Sequence, residues 1–248
     1  MSGHNRWTKI KRHKAAVGAA KGKLFSKLIK EITVAAKAGG GDLDGNHRLR
    51  AAVTLAREAN MPADNITRAI KKGTGELEGQ SYEEVLYEGY GPGGVALLVE
   101  CLTDNLNRTA SDVRSTLSKW GGNLGAPGSV KFVFTKRGTI HVKPGPSEEQ
   151  VMEKAIEAGA EDVLNQAADG FEVRTKPEDL HHVAIALEQA KLPLGEQRWT
   201  YVPSTTVKVD AEHAPRLLKL LEALDESEDV QNVYANFEMD EKLLEQLA

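Results

Sequence analysis

A chain of 248 residues with 40% hydrophobic and 27% charged residues is long for one core, and its composition is that of a globular protein built from more than one domain. Its longest apolar run, VALLV at 95–99, is far too short to span a bilayer as a helix. The net charge of -4 hides a division: residues 1–72 carry 16 Lys and Arg against five Asp and Glu, whereas residues 73–248 carry 16 against 31, which points to a polyanion partner for the basic part.

The first thirty residues, MSGHNRWTKIKRHKAAVGAAKGKLFSKLIK, hold nine Lys and Arg and no acid. A transit peptide is also acid-poor, but it is rich in Arg and Ser, whereas here Lys dominates and the pattern runs on into a helix. There is no apolar core of a secretory signal. The single cysteine, Cys101, forms no internal disulfide and suits a reducing cytosol as a buried, inert thiol, so a cytoplasmic protein is expected.

In KGKLFSKLIKEITVAAKAG, Leu24, Leu28 and Ile32 recur every four residues, and Phe25, Ile29 and Ala36 widen the stripe. Lys23, Lys27, Lys30 and Lys37 fall mostly on the other side. Gly39–Gly41 stop this helix and Asn46 caps a second, in which Leu49, Val53 and Ala56 face inward and Arg50 and Arg57 do not. Pro62 starts a third, which buries Ile66, Ala69 and Ile70, exposes Arg68, Lys71 and Lys72, and is expected to end at Gly73. The first 78 residues thus read as a basic helical domain.

Beyond residue 78 the pattern changes to α+β. SYEEVLYEGYGPGGVALLVECLT predicts two strands joined by a Gly-Pro-Gly-Gly turn, followed by a helix at 106–119 and a strand at 129–135. Residues 137–202 then supply a complete strand-helix-strand-strand-helix-strand unit. TTVKV, a helix near 210–225 and DVQNVYANFEM complete the interrupted domain, and EKLLEQLA predicts a short closing helix. The expected architecture is an N-terminal helical bundle followed by two ferredoxin-like α+β domains, one (137–202) inserted into the other (79–136 with 203–248).

Catalytic and metal chemistry find little support. GYGPGG at 89–94 lacks the Gly-Lys-Ser/Thr ending of a phosphate loop and reads as a hairpin turn. GGGDLDGN lacks the later acidic ligand of a calcium loop. The seven histidines show no ligand spacing, so neither metal, cofactor nor enzymatic activity is expected. A second basic stretch, 101–143, sets seven cations against Asp104 and Asp112, and its DNLNRT segment enters a helix where backbone N–H groups can meet phosphates. Phe132 and Phe134 in SVKFVF alternate onto one face and are expected in a core, since the surrounding residues miss the signature of an RNA-binding sheet. The predicted nucleic-acid-binding set is Arg6, Trp7, Lys9, Lys11, Arg12 and Lys14 in the arm; Lys21, Lys23, Lys27, Lys30, Arg48, Arg50, Arg68, Lys71 and Lys72 in the bundle; and Asn107, Arg108 and Arg114 beyond it. Trp7 is suited either to stacking on an unpaired base or to packing under the bundle.

GHNRW, KAA at 14–16, KGKLFSK, AAKAGGGD, NHRLR, NMPADNITRAIKKG, YEGYGPGG, DNLNRT, GGNLGAPGSVKFVF and EAGAED together resemble the YebC/PmpR family, which includes the mitochondrial translational activator of cytochrome oxidase subunit one. Asn5 and Arg6 stand where relatives usually show Ser and Lys. The resemblance implies three domains, no catalysis, and regulation of gene expression: transcriptional, through promoter DNA, as bacterial members are mostly described, or translational, through ribosomal RNA. Phosphate contacts carry affinity without naming the polymer. No helix-turn-helix reading motif is evident, so modest sequence preference is expected.

Overall fold

The structure, a computed structural model, describes residues 20–240 and residue 243. The arm residues Arg6, Trp7, Lys9, Lys11, Arg12 and Lys14 lie outside the described residues, as does the expected closing helix apart from Leu243. Two compact units are present: the described residues up to Val133 with those from Thr205 onward, and Phe134–Ser204.

The first unit begins with three helices, α1 (Ala20–Gly39), α2 (His47–Glu58) and α3 (Ala63–Thr74). Their core holds Leu28, Ile32, Ala35 and Ala36 against Leu49, Ala52, Val53, Ala56, Met61, Ile66 and Ala69. Leu24, expected in the stripe, falls at its rim and is exposed. Asn46 joins two helix ends: its Oδ1 accepts from the Leu49 N–H at the start of α2, while its Nδ2 donates to the Ala35 and Gly40 carbonyls at the end of α1. The third helix does not end at Gly73. It runs to Thr74 and stops at Gly75, whose left-handed φ of 82° suits glycine. Gly73 instead lies inside the helix, where a Cβ would meet the Thr33 carbonyl and the Ala36 Cβ, so its lack of a side chain lets α3 press onto α1.

A hairpin follows, β1 (Glu83–Gly91) against β2 (Val95–Thr103), turned by Pro92–Gly94 as expected. Then come α4 (Leu106–Lys119) and the two-residue β3 (Asn123–Leu124). After the second unit the chain returns through β8 (Val207–Lys208), α7 (Ala214–Asp225), β9 (Val230–Ala235) and β10 (Phe237–Glu238). The sheet order is β3-β1-β2-β9, antiparallel throughout. This is the strand pattern of a ferredoxin-like sheet with one substitution. The inner place expected for TTVKV is filled by β1, the strand that begins the domain, while β8 pairs instead with β10 in a separate two-stranded sheet. Val95, Leu97, Val99 and Cys101 point from β2 toward Val113 and Leu117 of α4 and Leu217, Leu220, Leu221 and Leu224 of α7, forming the core.

The strand expected at 129–135 is absent from this sheet. Residues 131–133 form a short 3-10 turn, and a strand of the second unit, β4 (Phe134–Val142), begins immediately after. That unit continues with α5 (Glu148–Glu157), β5 (Asp162–Asn165), β6 (Phe171–Thr175), α6 (Leu180–Gln189) and β7 (Leu194–Pro203) in sheet order β5-β6-β4-β7, the ferredoxin-like order itself. Its core packs Ile140, Val142, Val173 and Phe171 under Val151, Ala155, Val183 and Leu187. Among the described residues no helix is long and apolar enough to cross a membrane.

Candidate nucleic-acid interface

The structure sorts the predicted cations into those spent inside the molecule and those left facing solvent. Lys27 donates to the Asp225 carbonyl at 2.6 Å and stands 3.4 Å from its carboxylate. Lys30 reaches the Asp229 carboxylate at 2.5 Å and the Glu228 carbonyl at 3.0 Å. Lys23 stands 3.9 Å from Glu226. The acidic turn DESED at 225–229, between α7 and β9, thus covers the row of lysines on α1 that periodicity alone assigns to solvent.

Asp229 is the centre of this arrangement. Besides Lys30, its carboxylate accepts from Arg108 at 2.9 Å and from the Thr109 hydroxyl at 2.7 Å, in a site where Asp229 itself is buried. Burial pushes its carboxyl up, but Lys30, Arg108 and Thr109 outweigh burial and hold it at about 2. The DNLNRT segment serves the same cluster. Asn105 caps α4 by accepting from the Arg108 N–H, Arg108 also pairs with Asp104 at 2.7 Å, and the Thr109 hydroxyl, with its own proton on Asp229, accepts from the Thr103 hydroxyl at 2.7 Å. Hydrogen bonds to Asp229 and Asp104 raise the Arg108 guanidinium above its ordinary range. Arg108 is therefore a clamp between α4 and the start of β9; both it and Asn107 stand exposed, but the Arg108 guanidinium is already paired with Asp104 and Asp229.

Two arginines of α2 are likewise engaged. Arg48 binds Glu31 at 2.7 Å and Glu84 at 2.5 Å; burial lowers its pKa, but the two carboxylates outweigh burial and raise it. Arg50 donates to the Leu43 and Asp44 carbonyls, closing the loop before α2. By contrast Arg68, Lys71 and Lys72 share one exposed face of α3, with no acidic partner among the described residues. Lys21 lies over the Phe25 ring at 5.7 Å, and Arg114 is exposed on α4.

Sequence reasoning missed three features. The acidic turn was invisible because its partners lie about two hundred positions away. Glu88 was unremarked, yet its buried carboxylate accepts the backbone N–H groups of Gly128, Val130 and Lys131 at 2.6, 2.8 and 2.7 Å. Burial raises its pKa, and those three donors outweigh burial and lower it. Third, Phe132 is 78% exposed while Phe134 is buried, so the two do not share a core. The signal that could have shown it is the Gly125–Gly128 loop just before, which prevents a continuous strand.

Among the described residues no three His, Cys, Asp or Glu side chains gather as a metal site. Cys101 lies in the core, where burial first, then Asp229 and Glu100, push its thiol up to about 12.

Family profiles described as "TACO1/YebC protein N-terminal domain" and "TACO1/YebC second and third domain" match residues 5–76 and 82–237. A "probable transcriptional regulatory protein" of Myxococcus xanthus is 63% identical over 247 residues, covering 100% of this chain and 99% of that protein. A protein of the same description from Geobacter sulfurreducens is 54% identical and covers 100% of both chains. The crystal structure of a conserved hypothetical protein from Aquifex aeolicus is 52% identical, with a TM-score of 0.83 over 92% of this chain and 94% of that one.

Proposed function

Since this chain belongs to the TACO1/YebC family, whose bacterial members compared above are described as probable transcriptional regulatory proteins, we propose that it is a non-enzymatic regulator of transcription that binds nucleic acid through phosphate contacts. One observation carries this reading. The exposed face of α3 keeps Arg68, Lys71 and Lys72 free of acidic partners, although the same unit neutralises Lys27, Lys30, Arg48 and Arg108 internally. Unpaired cations on one face repel one another, and a polyphosphate relieves that repulsion while releasing counterions.

Lys21 and Arg114 extend the exposed positive surface, and the acid-free arm, with Arg6, Lys9, Lys11, Arg12 and Lys14, adds five cations to the same chain. Lys23, Lys27, Lys30, Arg48, Arg50 and Arg108 act structurally, holding helices and turns in place. Crosslinking in cells followed by sequencing of the bound nucleic acid tests the proposal. Enrichment of DNA upstream of regulated genes is expected; absence of DNA enrichment over an untagged control contradicts it.

A further inference from the structure

Phe132 is the most exposed large apolar side chain among the described residues, at 78%. Building upon the nucleic-acid-binding reading above, we propose that Phe132 is a stacking platform for an unpaired base of a single strand, with Lys131 beside it for the adjoining phosphate.

A loose loop can expose an aromatic ring by accident, but this loop is held. The Glu88 carboxylate takes the N–H groups of Gly128, Val130 and Lys131. The Glu88 carbonyl accepts from Gly125 N–H at 2.8 Å, and the Tyr90 hydroxyl donates to the Ser129 carbonyl at 3.0 Å. Val130 and Phe134 are buried on either side, and the 3-10 turn at Lys131–Val133 turns the intervening ring outward. Phe132 cannot fold under without breaking those anchors. Burying a carboxylate costs several kcal/mol unless it is fully hydrogen-bonded, so the chain invests a charged group in fixing a loop whose only bulky product is an exposed ring.

The surroundings select the occupant. Within the first unit the sequence from Val113 to Val133 has no acidic residue, and its cations Arg114, Lys119 and Lys131 are exposed without an acidic partner among the described residues, which favours an anion. The rest of the exposed loop is Ala126, Pro127 and Gly128, so it offers one flat ring and little other apolar area. A stable protein interface needs roughly 800 Å² per partner. One base needs one ring, and its π-face stacks irrespective of sequence. In a duplex the bases are already stacked, so the platform discriminates for single strands.

The test is anisotropy of short fluorescent oligonucleotides, single-stranded DNA, single-stranded RNA and duplex, at one fixed salt concentration. Phe132→Ala is expected to weaken single-strand binding by roughly 5- to 150-fold, to leave duplex binding within about twofold, and to be rescued by Phe132→Trp. The exposure of the ring makes misfolding of these variants avoidable, and circular dichroism checks it. Glu88→Gln, which leaves the ring intact but replaces one accepting oxygen with a donor, is expected to weaken single-strand binding while loosening the loop in amide exchange. Equal single-strand affinity of Phe132→Ala and the unaltered protein, equal losses on single strand and duplex, or failure of Phe132→Trp to rescue overturns the stacking claim alone. An unaltered protein that binds none of the three probes overturns the function proposed above and this site with it.

Discussion

Asp229 decides what several predicted cations can do. It gathers Lys30 from α1 with Arg108 and Thr109 from α4, so a carboxylate at the end of the chain consumes charges that read as available in the sequence. Helical periodicity gives the direction of a lysine, not the identity of what lies opposite, which is why Lys27 and Lys30 look alike with Lys71 and Lys72 until the fold is known. The folded pKa of about 2 lies below the ordinary 3.8, so the stabilisation is complete above pH 4 and is lost as pH falls toward 2. Its size is about 2 kcal/mol. Asp229→Asn should remove this part of the acid limb and lower stability at pH 7 by about 2–3 kcal/mol, because Lys30 and Arg108 lose their shared counter-charge. Urea denaturation of both proteins across pH 2 to 7 checks this; parallel curves contradict it.

At the scale of elements, the helices were legible because buried and exposed positions alternate with the helical period and because Asn46 and Pro62 mark the starts of α2 and α3. The end of α3 was not, since a glycine in sequence does not reveal whether it stops a helix or admits a neighbour. Gly73 admits α1, and Gly75 stops the helix. Two glycines inside helices, one crowded and one open, predict opposite outcomes for the same substitution. Gly73→Ala should cost about 1–3 kcal/mol despite alanine's better helix propensity, because its methyl meets the Thr33 carbonyl and Ala36. Gly22→Ala in α1, with nothing within 4 Å of the added methyl, should stabilise by up to about 1 kcal/mol. Thermal unfolding of the two variants decides it. The strands show the complementary limit. TTVKV has the composition of an inner strand, but β1 reaches that place through a tight hairpin with β2, a shorter closure than a return from the far side of an inserted unit. Likewise SVKFVF alternates like a strand, yet its first N–H groups are captured by Glu88, so pairing begins only at Phe134 against Pro203.

For the whole molecule, formal charge overstates the positive surface of the basic first part, because the acidic turn of the same unit answers α1. Of the predicted set, the described cations without an acidic partner are Arg68, Lys71 and Lys72 on one face of α3, with Lys21 and Arg114. Each phosphate neutralised on duplex DNA contributes a slope near −0.9 in log affinity against log salt. The central claim, that α3 is a phosphate-binding face, is tested most directly by measuring that slope for the unaltered protein, for the triple variant Arg68→Gln, Lys71→Gln, Lys72→Gln, and for Lys154→Gln, a lysine already paired with Glu153 and Glu157. The triple variant should be shallower by about 2–3 and bind more weakly at low salt, while Lys154→Gln should match the unaltered protein; a triple variant with the slope and affinity of the unaltered protein would contradict the account.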